Sequence, residues 1–79
     1  MRNEFSVYQF FHNGSQEEVL QFVDAETAVK MAVALCQSVG GRVGTTRSVI
    51  ITDGEDYCTW EWKYGEGVVF PTEHAGMLK

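Results

Sequence analysis

Basic residues are scarce in this chain, and they do not cluster. Six Lys and Arg stand against eleven Asp and Glu among 79 residues, so the formal net charge is −5. Surfaces that bind nucleic acids neutralise phosphates with grouped Lys and Arg, often interleaved with aromatic residues. The sequence has no such group. We therefore expect no direct binding to DNA or RNA.

Long apolar segments are also absent. No run approaches the roughly 20 residues that cross a bilayer, and the start MRNEFSVYQFF lacks the apolar core and cleavage site of a signal peptide. We expect a cytoplasmic protein that does not enter a membrane. Its two cysteines, Cys36 and Cys58, are accordingly expected to be reduced, with a single bridge between them as the alternative.

The length limits the chain to one hydrophobic core, so residues 1–79 are expected to form a single domain. An apolar fraction of 44% is sufficient for a folded protein. In so short a chain, apolar burial and chain entropy nearly cancel, and an additional contact such as an oligomeric interface is often needed. This balance favours self-association.

The first third of the sequence predicts a β-hairpin followed by a helix. Residues 5–12 are rich in β-branched and aromatic side chains, and Asn13-Gly14 is typical of a type I′ turn before a second strand over residues 18–23. Asp24 is placed as the helix N-cap. Apolar side chains then recur at helical spacing until Gly40-Gly41, which is predicted to end the helix.

The remaining sequence predicts a second hairpin. Strands over residues 45–52 and 57–64 flank Asp53-Gly54, and residues 68–70 could add a short edge strand before the next proline. Residues 72–79 are expected to form a loose tail. The predicted fold is α+β with the order ββαββ, one helix packed on a four-stranded, mainly antiparallel sheet.

Large apolar side chains occur on both faces of the first predicted strand. Phe5, Val7 and Phe11 alternate with Tyr8 and Phe10, so the two sets point to opposite faces. One helix covers only one face of a sheet, and soluble monomers seldom expose large apolar patches. A homodimer is the first explanation; the C-terminal segment, a partner or a ligand are the alternatives.

No catalytic, metal-binding or cofactor-binding motif is readable. The acidic stretch TDGEDYCTWEW lacks the ligand spacing and the glycine of a calcium loop, so an Asp-Gly turn explains it better. Gly40-Gly41 follows a helix and precedes a strand, and no lysine follows it as in a phosphate loop. The cysteines and histidines are scattered singly, unlike zinc ligands. We expect no enzyme, no metal and no cofactor.

Aromatic residues provide the candidates for an interface or a ligand site. Trp60, Trp62 and Tyr64 share one side of a strand and could form an apolar floor, although a core position under the helix is preferred for the two tryptophans. Glu61 points away from them. The full set of candidates is Tyr8, Phe10, Trp60, Trp62, Tyr64, Arg47 and Glu61.

The C-terminal third carries TDGED, WEWK and GEG through Phe70-Pro71. This pattern resembles small uncharacterised bacterial proteins carried on mobile gene cassettes. The resemblance implies an accessory protein of bacterial origin, and it brings no catalytic or binding residues with it.

The charge distribution suggests a kind of partner. Residues 53–79 hold six acids against two lysines and so carry −4 of the net charge. Our first hypothesis is a non-enzymatic binding module, a homodimer whose acidic C-terminal half engages a basic protein. The alternative is a small-ligand-binding protein with an aromatic pocket, lined also by Arg47, at the sheet face or the dimer interface.

Overall fold

The computed structural model describes residues 3–78, which form an α+β fold with one five-stranded antiparallel sheet. The elements are β1 (Phe5–Phe11), β2 (Gln16–Val23), α1 (Ala25–Cys36), α2 (Val39–Val43), β3 (Thr46–Thr52), β4 (Cys58–Lys63), β5 (Gly67–Phe70) and a short 3-10 helix (Thr72–His74). The α+β class is confirmed. The sheet has five strands rather than four, because the short segment before Pro71 pairs with β4, and a second helix is present.

The strands lie in the order β2-β1-β3-β4-β5, and every neighbouring pair is antiparallel. β1 and β3 form the centre of the sheet, with Val7 opposite Ile51 and Tyr8 opposite Ile50. This central pair is the only neighbouring pair not joined by a hairpin connection, since β2 and both helices lie between its strands in the chain.

Helix α1 lies on one face of the sheet and forms the core with it. Asp24 is the N-cap residue, as predicted, although its side chain makes no capping hydrogen bond. Alanines on the buried side of α1 allow the helix to approach the strands closely. The buried core residues are Val7, Ala28, Ala32, Cys36, Val49, Ile51, Trp62 and Val68.

The glycine pair Gly40-Gly41 does not end the first helix, contrary to the prediction. α1 ends before the pair, and both glycines lie inside α2. Ser38 makes the junction, because its Oγ donates to the carbonyl of Leu35 (2.6 Å) and accepts from the amide of Gly41 (3.2 Å). A Cβ on Gly41 would collide with the Leu35 carbonyl, so glycine permits close packing here. The left-handed residue that ends a helix is Gly44, at φ 94°.

The first two hairpins turn at the predicted positions, around Asn13-Gly14 and Asp53-Gly54, but their backbone conformations differ from those predicted. In the β1–β2 connection only Gly14 is left-handed (φ 91°), and the amide of Phe11 donates to the carbonyl of Ser15 (2.8 Å). The loop therefore differs from a type I′ turn, which needs two left-handed residues. In the β3–β4 connection the left-handed residue is Asp56 (φ 65°) rather than Gly54.

The segment expected to be a loose tail is attached to the sheet through residue 78. The amide of Val68 on β5 donates to the carbonyl of Met77 (2.7 Å). The indole Nε1 of Trp62 donates to the carbonyl of Leu78 (2.9 Å), and the Leu78 side chain packs against the core. The segment thereby lies along the outer edge of β5. The final residue lies outside the described part of the chain.

Candidate functional site

One face of the sheet has no helix packed on it, because α1, α2 and the C-terminal segment lie on the other side or at the edges. Tyr8, Phe10 and Ile50 lie next to one another on the two central strands of this face, and each is half-buried. We call this surface the open face and define it by Tyr8, Phe10, Ser48, Ile50, Thr52, Glu61 and Lys63.

Tyr8 is held by its neighbour on β2. Its strand partner is Glu18, and a hydrogen bond between the two side chains is the main reason why the pKa of the Tyr8 phenol is raised above 10.0. Burial and the negative charges of Glu18 and Asp56 raise this pKa further. The phenol is therefore neutral at physiological pH, and it presents an uncharged aromatic ring on the open face.

Charges separate along the direction of the strands. The end where β3 begins carries most of the described cationic residues, and we call it the arginine end: Arg42, Arg47, Lys63 and His12. The carboxylates of Glu17, near the start of β2, and of Glu66 also lie there. The opposite end carries carboxylates from both halves of the chain, and we call it the acidic end: Glu4, Asp53, Glu55 and Asp56. The remaining described lysine, Lys30, forms an ion pair with Glu26 on α1 (3.1 Å).

Two clefts meet at Arg47 and Tyr64. The first has a volume of about 930 Å³, and we call it the Arg47 cleft; it is lined by Phe11, His12, Asn13, Ser15, Val43, Gly44, Thr45, Arg47 and Tyr64. The second has a volume of about 660 Å³ and lies on the open face; it is lined by Phe10, Arg47, Ser48, Ile50, Cys58, Glu61, Lys63, Tyr64 and Glu66. Two carboxylates line the second cleft, whereas no Asp or Glu lines the first.

Backbone hydrogen bonds hold the walls of the Arg47 cleft. The amide of His12 donates to the carbonyl of Thr45 (2.9 Å), which joins the β1–β2 turn to the start of β3. The amide of Tyr64 donates to the carbonyl of Arg47 (2.8 Å). A Cβ on Gly44 would stand 3.2 Å from the Tyr64 ring, so the ring lies directly against this glycine. These contacts join the β1–β2 turn, the start of β3 and the end of β4 around the cleft.

The structure separates the three aromatic residues that share one side of the β4 segment. Trp62 is 3% exposed and belongs to the core, and Trp60 packs against that core. Tyr64 follows the end of β4, is 47% exposed and lines both clefts with Arg47. Glu61 lies on the open face opposite Ile50, as strand alternation predicts. Within residues 3–78, Glu61 forms no salt bridge with Lys63 or Arg47.

The acidic loop is organised as a turn. The Asp53 carboxylate accepts hydrogen bonds from the amides of Glu55 (2.9 Å) and Tyr57 (3.1 Å), so Asp53 stabilises the loop itself. Across residues 3–78 no three His, Cys, Asp or Glu side chains are placed to share a metal ion.

The two cysteines are free thiols in different surroundings. Burial raises the pKa of the Cys36 thiol to about 12. Partial desolvation by neighbouring atoms is also the largest cause of the raised pKa at Cys58, although this residue, at the start of β4, is exposed overall. A nucleophilic cysteine requires a lowered pKa, because the thiolate is the reactive form. Neither thiol has the surroundings of a catalytic nucleophile.

Phe11, His12 and Val43 were not among the candidate site residues predicted from the sequence. They come together because the β1–β2 turn lies beside the connection from α2 to β3, and this contact depends on the pairing of β1 with β3. No local sequence signal reports that pairing. The exposure of Val43, at 65%, is visible only in the folded structure.

Comparison of the chain with protein-family models, curated proteins and solved structures found no match. In the described part of the chain, neither helix is long and apolar enough to cross a bilayer.

Proposed function

We propose that this protein is a non-enzymatic binding module that forms a homodimer through the open face of its sheet. The observation that carries the proposal is the row of Tyr8, Phe10 and Ile50, which no other segment of residues 3–78 covers. Aromatic and aliphatic side chains on an open sheet are typical of surfaces that are buried on assembly.

The edges of the sheet are less suited to self-association than its face. The edge of β5 is already paired with the C-terminal segment. The edge strand β2 is irregular against β1, with register shifts on either side of the Val7–Leu20 pair, and it carries Glu17 and Glu18. Bulges and charged side chains prevent edge-to-edge pairing. Assembly through stacked faces is therefore favoured.

The charge pattern favours a second copy as the occupant of the open face. A twofold axis between two stacked sheets, perpendicular to the strands, brings the arginine end of each copy opposite the acidic end of the other. Five strands about 4.8 Å apart and about 20 Å long present roughly 500 Å² per copy. The total of about 1,000 Å² reaches the lower range of specific interfaces.

The acidic residues supply a second part of the proposal, which is binding to a basic protein. Glu55 and Asp56 are exposed on the β3–β4 loop, where the Asp53 carboxylate holds the backbone. Their charges would attract a lysine-rich partner at low salt. The resemblance to bacterial cassette proteins contributes no residue to this proposal, and its implication of an accessory role remains a prediction.

The test compares two lysine substitutions by analytical ultracentrifugation across a concentration series. Phe10→Lys places a charge in the proposed interface and should weaken dimerisation by about 3 kcal/mol, roughly 100-fold in Kd. Val29→Lys adds the same charge at a 45% exposed apolar position on α1 and should leave the dimer unchanged. Circular dichroism verifies that both variants keep the fold.

A wild-type chain that sediments at 8.9 kDa throughout the series would contradict the dimer. Equal weakening by the two substitutions would place the interface elsewhere. The same samples can be titrated with a lysine-rich peptide. Binding that survives both raised salt and the double substitution Glu55→Gln with Asp56→Asn would argue against recognition by the acidic loop.

A further inference from the structure

The Arg47 cleft is open to solvent, and it has the size and chemistry of a small-molecule site. Its volume of about 930 Å³ lies in the range of ligand pockets. Phe11, Val43 and Tyr64 supply apolar and aromatic surface, and Arg47 supplies a guanidinium at the margin. Such pockets combine mostly apolar walls with a few polar groups that fix the orientation of the ligand.

The sign of the charge in this cleft differs from that of the whole chain. The protein carries −5, yet the nine lining residues include Arg47 and His12 and no carboxylate. Within residues 3–78, Arg47 forms no salt bridge and its side chain makes no hydrogen bond to the protein. A guanidinium has five N–H donors and binds carboxylates with two parallel hydrogen bonds. These donors are available to a ligand.

We propose that the Arg47 cleft binds a small aromatic monocarboxylate. The carboxylate would pair with the Arg47 guanidinium, and the ring would lie between Tyr64 and the apolar walls formed by Phe11 and Val43. The Tyr64 ring is fixed against Gly44, so it can receive a planar group at little cost in conformational entropy. The site does not require the homodimer, because all the residues that line it belong to one chain.

The neighbouring cleft on the open face is the less suitable of the two for an anion. It shares Arg47 and Tyr64 with the first cleft and adds Lys63, but Glu61 and Glu66 line it as well, so its two cations are matched by two carboxylates. A lining whose charges cancel attracts an anion less than a lining in which the arginine is unopposed. This difference assigns the ligand to the side of Arg47 that faces His12.

Three related probes test the proposal by titration of the ¹⁵N-labelled full chain in NMR. Phenylacetate carries both the ring and the charge, phenylacetamide carries the ring alone, and acetate carries the charge alone. We expect phenylacetate to shift the amides of His12, Gly44 and Thr45 saturably. Its Kd should be about tenfold lower than that of either partial probe, since the loss of the ring or of the charge should each weaken the affinity roughly tenfold.

Two arginine variants separate the specific site from general attraction to positive charge. Arg47→Gln should remove the tenfold preference for phenylacetate over phenylacetamide. Arg42→Gln removes the same charge from an exposed position at the same end of the sheet, and it should leave the preference intact. Equal affinity of the wild type for phenylacetate and phenylacetamide would overturn the proposal. Shifts confined to the open face, or equal effects of the two variants, would also overturn it.

Discussion

Replacement of Trp62 by phenylalanine tests how the C-terminal segment is attached to the domain. Trp62 is 3% exposed in the core, and its Nε1 donates to the carbonyl of Leu78 at 2.9 Å. Phenylalanine keeps one aromatic ring in the core, but it lacks three indole atoms, and one of these is the nitrogen donor. The change therefore removes apolar contact and one hydrogen bond together.

The two losses can be estimated separately. Two buried ring carbons correspond to about 1.5 kcal/mol, and the hydrogen bond adds about 1 kcal/mol. The expected decrease in the free energy of unfolding is about 2.5 kcal/mol, a large part of the roughly 4–12 kcal/mol typical of a domain of this length. The melting temperature should fall by about 10–20 °C, measured by far-UV circular dichroism.

Trp60→Phe is the matched control for this experiment. Trp60 lies on the same side of β4, is less deeply buried, and has no indole hydrogen bond within residues 3–78. Its substitution should lower the unfolding free energy by about 1 kcal/mol. Trp62→Phe should also increase digestion of residues 72–78 by carboxypeptidase, whereas Trp60→Phe should not. Equal destabilisation and equal digestion in the two variants would refute a role for the Trp62–Leu78 hydrogen bond.

Two further predictions concern titrating groups. In the native protein, Cys58 should react with a thiol reagent at pH 8 and the 5% exposed Cys36 should react only after unfolding, as counted by released chromophore. Similar reactivity of both native thiols would contradict the burial of Cys36. The pKa of Cys36 in the folded protein, about 12, exceeds its usual value of 9.0. The contribution of the protonated thiol to the free energy of unfolding should therefore be constant below pH 9 and decline between pH 9 and 12. Glu18→Gln should lower the pKa of Tyr8, because the carboxylate raises it through a hydrogen bond and through its charge. Phenolate absorbance measures this pKa, and an unchanged value would mean that Glu18 does not contact the phenol in solution.

The elements most accurately predicted are those with strong local signals. The start of α1 was predicted at Asp24 because a polar N-cap residue before apolar residues at helical spacing is a signal from neighbouring residues only. Asp24 is the N-cap residue, although its side chain makes no capping hydrogen bond. The alternation of Tyr8 with Val7 likewise predicted that the two side chains lie on opposite faces of the sheet, and the structure places Val7 in the core. These features require no knowledge of the topology.

Other features depend on contacts that the local sequence does not report. Gly40-Gly41 reads as a helix end because glycine favours left-handed conformations, but the hydrogen bonds of Ser38 redirect the chain before the pair is reached. Leu78 is attached to the sheet by Trp62, which lies 16 positions away in the sequence. The Arg47 cleft depends on even more separated parts of the sequence, because its lining includes residues from the β1–β2, α2–β3 and β4–β5 connections.

The order of the strands has a consequence for the way the chain folds. The β1–β2, β3–β4 and β4–β5 pairs form between neighbours in the chain, whereas β1 and β3 meet across all of β2, α1 and α2. The sheet thus consists of an N-terminal hairpin and a C-terminal three-stranded meander, joined along a single seam. Pairing β1 with β3 therefore has the largest cost in loop-closure entropy of any strand pairing in the sheet. Because α1 contacts both central strands, its packing is the interaction that can offset this cost.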